Sequence, residues 1–73
     1  MQIFVRVMQK TIIIEVQSSD IIEVIKLKIQ EKEGILIHHQ RLNFSGKRLN
    51  DCFETIEQCN IQNGSTLYLD LVN

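Results

Sequence analysis

The chain has 73 residues and a net charge of −1, with eight basic and nine acidic residues mixed along its length. This length suffices for a single domain, and a hydrophobic content of 44% is typical of a folded protein rather than a disordered one. No basic surface for nucleic acid or for an anionic membrane is indicated, and no apolar run approaches the roughly 20 residues of a membrane-spanning helix.

Residues 1–7 and 10–16 predict a β-hairpin. Apolar residues alternate along both segments, which is the period of a strand with one buried face. A turn at Met8–Gln9 pairs Phe4 with Ile13, and in this register every inward residue meets another inward residue. Neither turn residue is the Gly or Asn that tight hairpin turns prefer, so we expect local strain or a looser loop there.

A helix is predicted after the hairpin. Residues 18–20 (SSD) offer capping side chains before an apolar-periodic segment, and Gly34 provides a stop. Ile22, Ile25 and Ile29 fall on one buried stripe. Four polar residues are predicted on the solvent side: Lys26, Lys28, Gln30 and Lys32.

Two further segments predict strands. In residues 40–45, Leu42 and Phe44 point to the core and Asn43 points outward. The SGK turn signal follows, and Leu49 is expected to begin a short fourth strand. Residues 65–71 alternate again, with these leucines inward: Leu67, Leu69 and Leu71. The order of elements predicts an α+β roll, with one sheet packed on one helix.

The cysteines and histidines do not suggest a catalytic or metal site. Cys52 and Cys59 lack CxxC spacing and do not complete a zinc site. His38 and His39 are adjacent, so their side chains diverge, and a solvated loop is expected. Without a Cys–His or Ser–His pairing we predict no enzyme, no metal and no cofactor. The absence of a secretory signal leads us to expect free thiols and a cytoplasmic or nuclear location.

Beyond these patterns, the sequence resembles the ubiquitin family along its whole length. MQIFV opens the chain, KTI and EV lie in the second strand, SD and IE surround the helix start, and KIQ, KEGI, QRL, GK, NIQ and STL follow in order. One residue is missing from the first hairpin and one is added near residues 52–54. The resemblance implies the β-grasp fold, a mixed sheet wrapped around one helix. It also implies a protein tag or docking module without catalytic activity of its own.

The end of the sequence departs from this resemblance. Ubiquitin and its conjugated relatives end in Gly-Gly, whose carboxylate is joined to lysine, and side-chain-free residues let that tail enter narrow enzyme channels. Here the sequence ends LDLVN. We therefore expect a chain that is not conjugated as given. The alternative is a ubiquitin-like modifier whose Gly-Gly tail lies beyond the given sequence. We also expect residues 1–73 to form one domain, the N-terminal part of a longer protein.

The surface through which ubiquitin binds its receptors also differs in this sequence. The resemblance places there a Leu in the first loop, an Ile in the third strand, and a His and a Val in the last strand. The corresponding residues here are Met8, Asn43, Tyr68 and Asp70. Burying an unpaired amide or carboxylate against an apolar receptor costs about 1–3 kcal/mol, so we expect ubiquitin receptors to bind this surface poorly.

The implied sheet brings these polar residues together, because its last strand lies between the first and third. We predict that Arg41 pairs with Asp70 and that Arg6 packs on Tyr68. Drift of an unused surface and a rebuilt interface for one specific partner are both open interpretations.

Two apolar groups are further candidates for protein binding. Phe4 and Ile13 form an exposed cross-strand pair, which is either an ordinary sheet contact or a binding feature. In GILIHH, three residues are expected to form an apolar patch with Leu71: Ile35, Leu36 and Ile37. This patch is the leading candidate for a new interface; the alternative is that some of its side chains fold inward.

Several lysines match ubiquitin lysines that carry chains and are candidates for modification: Lys10, Lys26, Lys28, Lys32 and Lys47. Taken together, the residues predict a monomeric protein-interaction module. Its expected partners are proteins, including components of the ubiquitin–proteasome pathway, and neither nucleic acid nor membrane.

Overall fold

A computed structural model describes residues 1–72 and contains one mixed sheet and one α-helix. The strands are β1 (Gln2–Val7), β2 (Lys10–Glu15), β3 (Gln40–Phe44), β4 (Lys47–Arg48) and β5 (Thr66–Leu71), and the helix α1 is Ile22–Glu33. The strand order is β2-β1-β5-β3-β4. β1 and β5 are parallel, and the other neighbouring strands are antiparallel. The predicted α+β roll and the central place of the last strand are confirmed.

The first hairpin has the predicted register. Phe4 pairs with Ile13 and Val5 with Ile12. The two-residue turn contains Met8 at φ 57°, a left-handed conformation that costs a side chain with a Cβ about 1–2 kcal/mol. The expected strain is therefore located at Met8.

The second tight turn has a glycine at one of its two positive-φ positions. Ser45 (φ 54°) and Gly46 (φ 79°) connect β3 to β4, and two successive positive φ values are those of a type I′ hairpin turn. β4 ends at Arg48, so the prediction that Leu49 begins this strand is wrong. Leu49 is instead buried, and its N–H donates to the Leu42 carbonyl at 2.9 Å.

The helix begins without the predicted side-chain cap. The residue before α1 is Ile21, and no side chain caps the first turn. Asp20 instead accepts a hydrogen bond from the Gln17 N–H at 2.8 Å. Carbonyls of a distant loop satisfy the first turn, since Glu54 accepts from Ile22 and Cys52 accepts from Glu23. At the other end Gly34 adopts φ 73° and its N–H bonds to Gln30, as predicted.

The core lies between α1 and the inner face of the sheet. Among residues 1–72, fourteen buried residues form it: Ile3, Val5, Val7, Ile14, Val16, Ile22, Ile25, Ile29, Leu42, Leu49, Ile56, Ile61, Leu67 and Leu69. The predicted helix stripe is confirmed. Two assignments are wrong: Lys26 is buried at 8% exposure, and Leu71 is 44% exposed. Leu71 lies past Leu69, the last core residue of β5, and borders a surface groove instead.

Candidate functional site

The outward face of the sheet carries a polar pair at its centre. Asn43 on β3 and Asp70 on β5 are diagonal neighbours, because Asn43 lies opposite Tyr68 and Asp70 opposite Arg41. The Asn43 Nδ2 donates a hydrogen bond of 3.0 Å to the Asp70 Oδ2. Asn43 is half-buried, whereas Asp70 and Tyr68 are exposed. The amide therefore has a specific partner on this face.

The predicted Arg41–Asp70 ion pair is wrong, although its register is confirmed. The ion pairs within residues 1–72 do not include Arg41. The Asp70 carboxylate instead accepts the hydrogen bond from Asn43. A short amide loses less side-chain freedom than a guanidinium in making this contact. Arg6 lies opposite Tyr68, but its Nη1 donates at 2.7 Å to the Thr11 Oγ1 on the other neighbouring strand.

A shallow apolar groove of about 730 Å³ lies beside the first hairpin turn. It is lined by Val7, Met8, Gln9, Lys10, Glu33, Ile35 and Leu71. Met8 is 76% exposed, and an ion pair of 2.7 Å between Lys10 and Glu33 borders the groove. The fold thus brings Met8 next to Ile35 and Leu71, which sequence reasoning had assigned to a separate patch.

The remaining apolar candidates lie outside this groove. Leu36 is exposed. Ile37 is half-buried and begins a 3-10 turn (Ile37–His39) that follows the helix. On the first hairpin, Ile13 is 50% exposed and Phe4 is half-buried. Both groups keep apolar surface in contact with solvent, so each remains a candidate for binding.

The candidate lysines differ in accessibility. Lys10, Lys32 and Lys47 are exposed, and Lys28 is half-buried with its Nζ donating to the Glu15 carbonyl. Lys26 is buried, so the prediction that it faces solvent is wrong. Its Nζ donates to the Cys52 Sγ at 3.4 Å.

The two thiols are free and have different surroundings. Burial raises the pKa of the Cys59 thiol, and the Glu54 carboxylate adds to this effect. The Cys59 Sγ donates to the Glu54 Oε1 at 3.8 Å. Within residues 1–72 no cluster of three or more His, Cys, Asp or Glu side chains is placed to hold a metal ion. The rings of His38 and His39 contact each other edge to face, with centroids 4.3 Å apart, so the prediction that these side chains diverge is wrong.

Comparison with known proteins identifies the family of the chain. Residues 3–71 match the sequence profile of the Ubiquitin family. This chain belongs to the ubiquitin family. The fold assignment and the absence of enzymatic function predicted from the residues agree with this membership, because the family is not enzymatic.

Relatives within the family narrow the assignment. The NEDD8-like protein RUB3 of Arabidopsis thaliana is 46% identical over 63 residues, covering 86% of this chain and 80% of that protein. The ubiquitin-like protein NEDD8 of Dictyostelium discoideum is 40% identical over 62 residues, covering 85% and 79%. A Caenorhabditis elegans ubiquitin-like protein 1-ribosomal protein eS31 fusion protein is 33% identical over 94% of this chain, but over only 39% of its own length. This ubiquitin-like protein is therefore related to NEDD8 and RUB proteins.

Sequence reasoning missed two features of this ubiquitin-like protein. Gln40 is buried, although it reads as the polar start of a strand. Phe53, in the segment lengthened by one residue, is an exposed aromatic side chain. No local pattern marks either residue, because both depend on how distant loops meet. No helix within residues 1–72 has the length and apolar character needed to cross a membrane.

Proposed function

We propose that this ubiquitin-like protein acts as a protein-interaction domain whose sheet face has lost affinity for ordinary ubiquitin receptors. The observation that carries the proposal is the hydrogen bond of 3.0 Å between Asn43 and Asp70. The resemblance to ubiquitin implies that this pair corresponds to the Ile and the Val of ubiquitin's receptor patch.

The energetic argument concerns desolvation of that pair. An apolar receptor would remove water from the Asp70 carboxylate, whose partner within residues 1–72 is one neutral amide. Burying an incompletely paired polar or charged group costs on the order of 1–3 kcal/mol or more. Each 1.4 kcal/mol lowers affinity about tenfold, so a weak receptor contact would be lost.

The proposed replacement interface consists of the apolar groove together with Leu36, which follows the groove residue Ile35 in the chain. Met8, Ile35 and Leu71 contribute side chains to the groove, and Leu36 is 47% exposed. Exposed apolar surface that is grouped in this way tends to mark protein interaction sites. We propose protein partners here, with components of the ubiquitin–proteasome pathway as the first class to examine.

A titration of isotope-labelled protein with a ubiquitin-binding helix tests the proposal. The amide signals of Met8, Asn43 and Tyr68 should shift little and should not saturate. The matched variant is Asn43→Ile combined with Asp70→Val, which removes the polar pair and restores the residue types of ubiquitin.

This double variant should gain measurable, saturable binding, because the desolvation cost is removed. Saturable binding by the unaltered protein would contradict the proposal. Failure of a folded double variant to gain any affinity would show that the Asn43–Asp70 pair is not what prevents binding.

A second candidate function is that of a conjugated modifier. The 46% identity with a NEDD8-like protein favours this candidate. The reading frame beyond Asn73 and a charging assay distinguish the two. A thioester formed between the protein from the full reading frame and an activating enzyme would establish the modifier function, whereas we expect none from the chain as given.

A further inference from the structure

A buried lysine and a cysteine form a pair at the start of the helix. Lys26 is buried at 8% exposure, and its Nζ donates to the Cys52 Sγ at 3.4 Å. Cys52 belongs to the loop whose carbonyls satisfy the first turn of α1, and its own carbonyl accepts from the Glu23 N–H at 3.0 Å. Cys52 is half-buried as a residue, so its side chain is not sealed inside the core.

The charge of Lys26 lacks the partner that a buried ammonium normally has. Buried charges in proteins are paired, because desolvating an unpaired ion is costly. Among residues 1–72, no carboxylate lies within ion-pairing distance of the Lys26 Nζ. The group that it faces is the Cys52 sulfur. Negative charge on that sulfur would supply the missing counter-ion.

The second cysteine has the opposite surroundings and serves as an internal comparison. Cys59 faces the Glu54 carboxylate at 3.8 Å, and burial together with this carboxylate raises the pKa of its thiol. A thiolate is the reactive form of cysteine, and it is favoured next to a lysine and disfavoured next to a carboxylate. Two half-buried thiols of one small domain should therefore differ in reactivity.

We propose that Cys52 is an oxidation site for hydroperoxides, at which Lys26 stabilises the attacking thiolate. The sulfur attacks one peroxide oxygen, so that an S–O bond forms while the O–O bond breaks. The proton released from the thiol joins the leaving oxygen, which departs as water from hydrogen peroxide or as an alcohol from an organic hydroperoxide. Sulfur is oxidised by two electrons to a sulfenic acid, and the peroxide is reduced by two electrons.

The test exposes the chain to hydrogen peroxide in the presence of dimedone, which traps sulfenic acids. Cleavage after Glu54 and Glu57 separates the two cysteines for mass spectrometry. Cys52 should be trapped at least about tenfold faster than Cys59 in the unaltered protein.

A matched pair of variants tests the role assigned to the lysine. Lys26→Met should bring the Cys52 rate down toward that of Cys59, whereas Lys32→Met, which removes the same charge from the exposed side of α1, should leave it unchanged. Circular dichroism establishes whether each variant is folded. If Lys26→Met does not fold, the ratio of the Cys52 and Cys59 trapping rates in the unaltered protein decides the proposal. Equal trapping of both cysteines, faster trapping of Cys59, or an unchanged Cys52 rate in folded Lys26→Met would overturn the proposal.

Discussion

At the scale of single residues, Gln40 shows how one amide can organise the core. It is buried at the start of β3, and its Nε2 donates to the Lys26 carbonyl at 3.0 Å and to the Ile35 carbonyl at 2.9 Å. These two bonds connect the helix to the segment that follows it. Both carbonyl oxygens need a hydrogen-bond donor, and the Gln40 side-chain amide supplies it. The position should therefore be specific for an amide.

Gln40→Glu tests this specificity with almost no change of shape. The carboxylate would face two carbonyl oxygens in the core, and we expect a loss of roughly 3 kcal/mol in the free energy of unfolding at neutral pH. Because the fold favours the protonated acid, the pKa of the introduced glutamate should be raised. The deficit relative to the unaltered protein should therefore shrink as pH falls through that value and grow as pH rises.

The control is Gln62→Glu, which adds the same charge at an exposed position. Urea denaturation at several pH values measures both variants. Equal stability of the two variants at neutral pH would show that the Gln40 amide is not needed.

At the scale of elements, the first hairpin combines a well-specified register with a poor turn. Its strands align inward residues with inward residues, and this alternation fixes the pairing. The backbone strain that this register imposes lies at Met8, which has φ 57°. Gln9 is not among the residues with a positive φ. The strain is confined to one residue, whose side chain is largely exposed.

Met8→Gly should therefore stabilise the hairpin. Glycine adopts positive φ without a steric cost, and its greater freedom in the unfolded chain offsets only part of the gain. We expect an increase of about 0.5–1 kcal/mol in the free energy of unfolding, measured by thermal or urea denaturation. Gln9→Gly is the matched control and should be neutral or destabilising, since Gln9 needs no special conformation. A larger gain from Gln9→Gly than from Met8→Gly would contradict this account.

At the scale of the whole molecule, β5 connects the first hairpin to β3 and β4. It lies between β1 and β3, so the last strand completes a core that the first strand begins. Leu67 lies opposite Val5 and is fully buried, whereas Leu71 on the same strand is 44% exposed. This strand thus carries two leucines for the core, Leu67 and Leu69, and one for the surface, Leu71.

Leu67→Ala should cost about 2–5 kcal/mol, because it leaves a cavity at the centre of the core. That is a large share of the roughly 5–15 kcal/mol that stabilises a typical domain. Leu71→Ala should cost less than about 1 kcal/mol while altering the groove that it borders. Chemical denaturation of both variants provides the comparison, and similar losses would show that Leu71 belongs to the core after all.

The sequence predicted much of the fold because the relevant signals are local. The alternation in β1 and β2, the Ile22–Ile25–Ile29 stripe and the glycine stop are all visible within short segments. The candidate surfaces were predicted less well. The Asn43–Asp70 contact is diagonal, whereas sequence reasoning considered only residues directly opposite each other, and side chains of different length compete for the same carboxylate.

The sequence by itself determined the period and order of the main elements and the register of the first hairpin, since these follow from patterning along the chain, and its resemblance to ubiquitin implied the sheet topology and the family. Tertiary structure alone decided three features. Loop carbonyls cap the helix in place of Asp20, Lys26 is buried against a thiol, and Leu71 joins Met8 in a groove. Each feature depends on segments that are far apart in sequence and meet in space. There, buried polar atoms need hydrogen-bond partners from the protein because water is excluded.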